Sequence, residues 1–240
     1  MARMGGKKQL KRLAAPASWK IPRKSRHGVW ITNVVPGPHP KERSIPLRVL
    51  IRDYLKLADN TREADYIIKS GKVLVDGKVR KEPRFPVGLF DVVEIPDLGK
   101  VFRIVLDEKG RVTPKEVPEE EKNVKLVRVE RKQMIKGGRI QIGTHDGRTF
   151  VVDDNSIRPG DALKISVPEQ RILERYPLDK GSLVYVLSGR HAGTLGIVDE
   201  VIPGTLLTER SVKISVEGAT ITTPIRNVFV VGTKTPAITL

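Results

Sequence analysis

The sequence predicts an α+β fold divided among several small domains: an extended basic arm, a small helix–helix–β module and two small antiparallel β-barrels. Three observations favour this fold class. Glycine (21) and proline (17) interrupt the 240 residues at short intervals, apolar and polar residues alternate after residue 72, and aromatic residues make up only 5% of the chain, too few for one large core. The predicted segments are 1–42 for the arm, 43–106 for the helical module, 107–175 for a central β domain, 176–232 for the second barrel and 233–240 for a short tail.

The charge of the chain predicts a polyanionic partner. Lys and Arg number 44 against 28 Asp and Glu, which gives a net charge of +16. Such a field attracts nucleic acids or anionic membranes. A membrane is disfavoured because no run of about 18 apolar residues occurs, and without an export signal we expect a cytoplasmic protein.

The residues that most chemistry needs are scarce. Cysteine is absent, which excludes disulfides, Cys-ligated zinc and thiol catalysis. The four histidines are far apart, and no metal-binding spacing such as HExxH occurs. We therefore expect no catalytic residue, no metal site and no cofactor.

The N-terminal arm, residues 1–42, is the most strongly cationic segment. Its first 41 residues contain ten Lys or Arg and no acidic residue, and five prolines exclude a long helix or a central strand. A solvated, disordered tail is the alternative. The only two tryptophans of the chain lie here, however, and indoles stack on bases. The arm's candidate RNA-binding residues are Lys7, Lys8, Lys11, Arg12, Trp19, Lys20, Arg23, Lys24, Arg26 and Trp30.

The spacing of apolar residues predicts two helices in the helical module. The first covers 47–57. The second starts with Thr61 as N-cap and ends at Gly71. A strand follows over 72–75, and Asp76-Gly77 predicts a hairpin turn.

Residues 43–84 of this module contain eleven basic and six acidic residues. If the two helices pack antiparallel, many of these cations share one face. The alternative is that they are ordinary solvated helix residues. The candidate RNA-binding residues are Arg48, Arg52, Lys56, Arg62, Lys69, Lys72, Lys78 and Arg80.

The pattern over 61–68, 71–78 and 88–93 resembles the small RNA-binding module shared by bacterial ribosomal protein four, pseudouridine synthases and tyrosyl-tRNA synthetases. In that family the two helices and the following turn form a positive surface against structured RNA. Arg62 and the hairpin at 75–78 match the family's pattern. The family more often has Ser and Asn where this chain has Thr61 and Asp76.

The central segment changes in character along its length. Residues 107–122 hold an acidic cluster, Glu119-Glu120-Glu121, and predict an exposed loop. Alternation over 124–167 predicts four or five short strands and hence a small antiparallel barrel. His145 fits a turn residue better than a ligand. Gly137-Gly138 forms a basic corner whose candidate RNA-binding residues are Lys132, Lys136 and Arg139.

Residues 180–198 resemble the KOW motif. Gly189, Gly193 and Gly196 recur at intervals of four and three, beside alternating valines. With strands over 212–216 and 225–231, the segment predicts an SH3-like barrel. In that family the loop, here 188–193, contacts RNA or a protein, so Arg190 and His191 are candidates for RNA binding.

The order of arm, helical module, β domain and KOW barrel resembles the e-type family of small-subunit ribosomal protein four, and the length and composition suggest its archaeal branch. The resemblance implies a structural protein of the small subunit of the cytoplasmic ribosome. Its partners would be small-subunit rRNA and neighbouring ribosomal proteins, with no catalysis, no membrane and no homo-oligomer.

Two alternatives belong to other functional classes. An RNA-modifying enzyme can carry the same helical module, but it needs a separate catalytic domain with a catalytic Asp. A KOW-containing transcription or translation factor would not need the cationic arm.

Overall fold

The computed structural model describes residues 7–24, 28–205, 208–216 and 218–240. Within these ranges the chain is rich in strands and poor in helices, in agreement with the mixed class that the sequence predicts. The chain divides into two compact units. Unit 1 comprises residues 1–105 and 111–122, and unit 2 comprises residues 106–110 and 123–240.

Unit 1 contains both α-helices of the described residues and three small sheets. Its helices are α1 (Leu47–Val49) and α2 (Thr61–Lys69). Its strands are β1 (Gln9–Lys11), β2 (Trp30–Thr32), β3 (Ser44–Pro46), β4 (Leu74–Val75), β5 (Lys78–Val79), β6 (Pro86–Gly88), β7 (Val92–Ile95), β8 (Lys100–Leu106) and β9 (Val112–Val117). β1 pairs with β2, β3 pairs with β6, and the other strands form one sheet in the order β5-β4-β7-β8-β9.

The first predicted helix departs from the expected α-helix. After α1 the chain continues as a π-helix over Leu50–Tyr54, in which the amide of Leu55 donates to the carbonyl of Leu50 at 2.9 Å. Leu47, Leu50 and Ile51 are all 0% exposed. The helix ends where Lys56 takes a positive φ of 54°, so the single helix predicted over 47–57 is wrong in its winding and in its length.

Trp19 fixes the N-terminal segment to the remainder of unit 1. The Trp19 residue is only 2% exposed, and its indole Nε1 donates to the carbonyl of Ser44 at 2.7 Å. The neighbouring Ser18 carbonyl accepts from the amide of Val112, at the start of β9, at 2.9 Å. The prediction that Trp19 stacks on RNA bases is therefore wrong, because its ring is enclosed and its only donor is satisfied within the protein.

The acidic segment forms regular secondary structure rather than a loop. Residues Val112–Val117 form β9 at the edge of the five-stranded sheet, and Glu119–Asn123 form a 3₁₀ helix. The Arg103 residue is 0% exposed, and its guanidinium forms an ion pair with Glu121. The expectation of an exposed loop over 107–122 is wrong for this part, because Glu121 serves as the counter-charge of a buried arginine.

Unit 2 consists of two five-stranded antiparallel sheets. The first has the order β12-β11-β10-β13-β14 and the second the order β18-β17-β16-β15-β19. The strands are β10 (Val124–Met134), β11 (Ile140–Thr144), β12 (Thr149–Val152), β13 (Ala162–Ser166), β14 (Ile172–Tyr176), β15 (Leu183–Val186), β16 (Leu195–Ile202), β17 (Ser211–Val216), β18 (Ala219–Pro224) and β19 (Val228–Gly232). Val127, Ile142, Leu163 and Ile165, all 0% exposed, lie in the core of the first sheet.

A buried ion pair stabilises the first sheet of unit 2. Lys125 Nζ lies 3.1 Å from Asp146 Oδ2, and both side chains are 1% exposed. Thr144 and Arg148 also donate to the Asp146 carboxylate, at 2.6 and 2.8 Å. Burial by itself raises the pKa of Asp146, but the charge of Lys125 and these donors outweigh it and hold that pKa well below its usual range.

We expect Trp19→Ala to lower the free energy of unfolding by about 3–5 kcal/mol, because it removes a large buried side chain. The matched control is Trp30→Ala. The Trp30 residue is 56% exposed, so its loss should change stability by less than about 0.5 kcal/mol. Urea denaturation followed by circular dichroism measures both. Equal losses would show that Trp19 does not anchor the segment.

We expect the Asp146 carboxylate to make the free energy of unfolding depend on pH. Its pKa is lower in the folded than in the unfolded protein, so its contribution is complete above the unfolded value of about 4 and is lost as the pH falls from there toward the folded value. Asp146→Asn should cost about 3–5 kcal/mol at neutral pH, because Lys125 then keeps a buried charge without its partner. Below about pH 4 the difference between the two proteins should shrink, which denaturation across that range measures. A difference that stays constant with pH would contradict this account.

Candidate nucleic-acid interface

One face of α2 presents two cations with an aromatic ring between them. Arg62, Tyr66 and Lys69 are spaced by four and three residues, so they lie on the same side of the helix. The Tyr66 residue is 72% exposed, and Arg62 and Lys69 are exposed as well. The opposite side carries Ala64 and Ile68, which are 0% exposed. Because that apolar side is buried against the rest of unit 1, the Arg62–Tyr66–Lys69 face points toward solvent.

The start of α2 differs from the prediction by one residue. The N-cap is Asn60, whose side-chain oxygen accepts from the amides of Arg62 and Glu63 at 2.9 and 3.0 Å. Thr61, predicted as the cap, is the first helical residue. Its hydroxyl accepts from Arg52 Nη1 at 2.8 Å instead. The cap fixes the helix start, and with it the direction in which Arg62 points.

The arginines before α2 are used inside the protein. Arg48 donates through Nε and Nη2 to both oxygens of Asp65, at 2.5 and 2.7 Å, and through Nη1 to Thr32 at 3.1 Å. Arg52 donates to both oxygens of Asp53, at 2.7 and 2.8 Å. These contacts fasten the first helical segment to its neighbours. A role of Arg48 and Arg52 at phosphates stays a prediction, with most of their donors already occupied.

The other predicted cations of the module have different surroundings. Lys56, Lys72 and Lys78 are exposed. Lys72 lies 2.6 Å from Asp97, and this hydrogen bond raises the pKa of Lys72. The Arg80 guanidinium lies 4.5 Å above the ring of Phe85 in a cation–π contact.

Tyr66 was not among the predicted residues, although its spacing from Arg62 and Lys69 was a signal for it. A lone tyrosine at helical spacing is as often buried as exposed, so the sequence alone does not decide its position. The structure places it between two cations, where a base can stack on it.

Five of the predicted lysines of the arm are exposed. Lys7, Lys8, Lys11, Lys20 and Lys24 are exposed, and Lys11 pairs across the β1–β2 ladder with the exposed Trp30.

Two arginines of the arm face inward. Arg23 donates to the carbonyls of Ala15 and Pro16 at 2.8 and 2.7 Å. The Arg12 residue is 4% exposed, and its Nη1 lies 3.4 Å from the carbonyl of Pro22. The prediction that Arg12 contacts RNA is therefore wrong, because its side chain is enclosed. Arg26 lies outside the described residues.

In unit 2 the turn between β10 and β11 forms the basic corner. Lys136 and Arg139 are exposed beside Gly137 and Gly138, whose φ angles are 86° and 73°. These positive angles suit glycine and let the strands reverse direction. Lys132 is half-buried and donates to the carbonyl of Asn155 at 2.6 Å.

The turn between β15 and β16 is the predicted KOW loop. Arg190 is exposed at its tip, and His191 is half-buried, with its carbonyl accepting from the Thr194 hydroxyl at 2.7 Å. Gly193 has a φ of 82°, and a Cβ atom there would overlap the carbonyl of Asp107. The position therefore requires glycine for conformation and for space.

In the ranges that the structure describes, His, Asp and Glu residues nowhere gather in threes close enough to hold a metal ion. Among the described helices, none has the length and apolar character needed to cross a membrane.

A capped helix that presents two cations around an exposed aromatic ring, together with basic turns between small β-sheets, is typical of RNA-binding proteins. Four family models match the chain in order. They are the RS4NT domain over residues 4–42, the S4 domain over 47–93, ribosomal family S4e over 98–172 and the KOW motif over 180–217.

Relatives match over the whole chain. The small ribosomal subunit protein eS4 of Methanocaldococcus jannaschii is 42% identical and that of Methanothermobacter thermautotrophicus 44% identical, each over 100% of this chain and over 100% and 98% of the relative. The crystal structure of the 30S ribosomal protein S4e from Thermoplasma acidophilum matches with a TM-score of 0.70 and 37% identity, over 80% of this chain and 97% of that one. The chain belongs to the small ribosomal subunit protein eS4 family, and the resemblance to an archaeal member is confirmed.

We expect two glycines of the KOW loop to respond differently to alanine. Gly189 has a φ of 101° but open space around a Cβ, whereas Gly193 combines its positive φ with the overlap at Asp107. Gly189→Ala should cost about 1–2 kcal/mol of stability from backbone strain alone. Gly193→Ala should cost at least about 1 kcal/mol more, because the overlap adds to the strain. Thermal denaturation of both variants measures the difference, and equal losses would contradict the close approach at Gly193.

Proposed function

We propose that this protein is a structural component of the small ribosomal subunit that binds and stabilises rRNA and so supports translation. Membership of the eS4 family supports this assignment. The observation that carries the RNA-binding part is the Arg62–Tyr66–Lys69 face of α2, which lies within the residues that match the S4 domain. Cations bind phosphates and an exposed ring stacks on bases, so this face can hold both parts of a nucleotide.

The finer architecture extends this proposal. The two five-stranded sheets of unit 2 each close into a small barrel, the second of them SH3-like, and the segment 1–42 acts as a basic arm along rRNA. The protein also contacts neighbouring ribosomal proteins of the small subunit. The protein works as a single copy in the cytoplasmic ribosome, without catalysis of its own and without a membrane.

The RNA-modifying enzyme remains the weaker candidate. It needs a catalytic domain beside the helical module, whereas the chain beyond the S4-matching residues matches the S4e family and the KOW motif. Incubation with rRNA followed by nucleoside mass spectrometry would reveal any modification. Sedimentation of a cell extract at high salt tests the favoured function, since a structural component should migrate with small subunits.

We expect Arg62→Glu with Lys69→Glu to weaken rRNA binding and to change its dependence on salt. Each phosphate contact that is lost should reduce the slope of log affinity against log salt by about 0.7–0.9, so the pair should reduce it by about 1.5. The matched control is Arg171→Glu with Lys234→Glu, which changes the net charge equally at exposed residues outside this face. Filter binding over a salt series measures the slopes. Equal slopes for the two double variants would count against the α2 face.

We expect Tyr66→Ala to weaken binding by about 1–3 kcal/mol while leaving the salt slope unchanged, because base stacking releases no counterions. The same salt series separates this effect from that of the cations. An unchanged affinity would mean that Tyr66 does not meet a base.

A further inference from the structure

A cavity of about 380 Å³ in unit 2 lies between β10 and residues that border β17 and β18, outside every predicted site. Its wall contains four arginines, Arg128, Arg131, Arg210 and Arg226, and one glutamate, Glu130. Four positive charges against one negative charge give the wall a net charge of +3. Pro159 and Ile225 contribute apolar surface to the same wall.

The walls of this arginine cavity are held by backbone contacts. The amide of Gly160 donates to the carbonyl of Val129 at 2.9 Å, and the amide of Ile225 donates to the carbonyl of Arg210 at 3.0 Å. Gly160 has a φ of 103°, and a Cβ atom there would lie 2.8 Å from Cδ1 of Ile225. Glycine therefore lets the turn approach Ile225 closely, and the cavity keeps a defined shape.

The arginines differ in what they do. The Arg128 residue is 6% exposed, and its Nη1 donates to the carbonyls of Arg226 and Val228 at 2.9 and 3.1 Å. It joins the two sheets and has a counter-charge in Glu130, 3.0 Å away. Arg226 is more exposed and pairs with Glu209 at 3.1 Å. These two arginines are thus already engaged within the protein.

Arg131 and Arg210 are the cations that a ligand can use. Both line the cavity, and neither guanidinium forms a hydrogen bond or an ion pair with another residue in the described part of unit 2. A guanidinium binds phosphate with two parallel hydrogen bonds. Two such groups beside an apolar wall match a ligand with a negative end and a flat, weakly polar ring.

We propose that the arginine cavity binds one unpaired nucleotide of RNA, with its phosphate on Arg131 and Arg210 and its base against Pro159 and Ile225. The proposal rests on the proposed function, since it adds a second RNA contact to the protein. The cavity volume falls in the range of small-molecule sites, about 300–1,000 Å³, and sequence-specific RNA recognition commonly uses unstacked bases that are held in this way. An acidic peptide would use the arginines but would leave the apolar wall without a flat partner.

Photo-crosslinking of the full-length protein with a five-nucleotide single-stranded RNA that contains 4-thiouridine tests the site. Mass spectrometry should find an adduct on a peptide that includes residues 128–131, 159–160 or 225–226. Arg131→Glu with Arg210→Glu should reduce this adduct at least about tenfold, since charge-assisted contacts are lost. Adducts near Tyr66 should remain. Arg131→Gln with Arg210→Gln repeats the test with a smaller perturbation, and Arg171→Glu with Lys234→Glu serves as the control of equal charge change.

The outcomes separate the two proposals. Adducts near Tyr66 but none at the cavity would overturn the cavity site and leave the proposed function standing. If the wild-type protein formed no RNA adduct anywhere, both the cavity site and the proposed function would be overturned. Competition for the cavity adduct by an abasic strand, compared with an unlabelled RNA strand of equal length, shows whether the base contributes to binding. Equal competition by these two strands would also overturn the proposal. A Glu-rich peptide that displaces the adduct more effectively than unlabelled RNA would assign the cavity to a protein partner instead.

Discussion

A buried positive charge needs a partner inside the protein, and this constraint divides the cations of the chain into two sets. Arg103 and Lys125, which are almost fully enclosed, form ion pairs with Glu121 and Asp146. Arg128 donates to carbonyls and to Glu130. The enclosed cations thus use part of the acidic residues, and the excess of +16 is left mainly on the surface. The exposed set is the one that a polyanion meets.

The same constraint explains why the acidic residues lie where they do. Asp65 orients Arg48 between the two helical segments, so its charge serves packing rather than solubility. Glu121 neutralises the charge of the buried Arg103 in the unit 1 sheet. Because Asp65 is engaged by Arg48, it does not neutralise the exposed Arg62 and Lys69 on the outer side of α2. One distribution of charge thus serves packing inside the protein and leaves cations exposed on its surface.

Local sequence was a good guide wherever the chain must follow a single geometry. Asp76-Gly77 forms the predicted turn, with φ angles of 51° and 70° in the left-handed region. Gly193 likewise occupies a position that only glycine suits. Strands β14 and β18 escaped prediction because they lie at sheet edges, where few residues are buried and the apolar alternation fades. The π-helical winding at Leu50–Tyr54 escaped it because several adjacent apolar residues fit an α-helix equally well.

By itself the sequence determined the class of fold, the order of the four matching segments and the excess of positive charge, since these depend on local periodicity, on turn residues and on composition. The tertiary structure alone decided which cations and rings remain available. Trp19 and Trp30 lie in the same basic arm, yet one is enclosed against Ser44 and the other is exposed on β2. Tyr66 became a candidate and Arg12 ceased to be one. The physical reason is that exposure depends on contacts between residues distant in sequence, which no local pattern records.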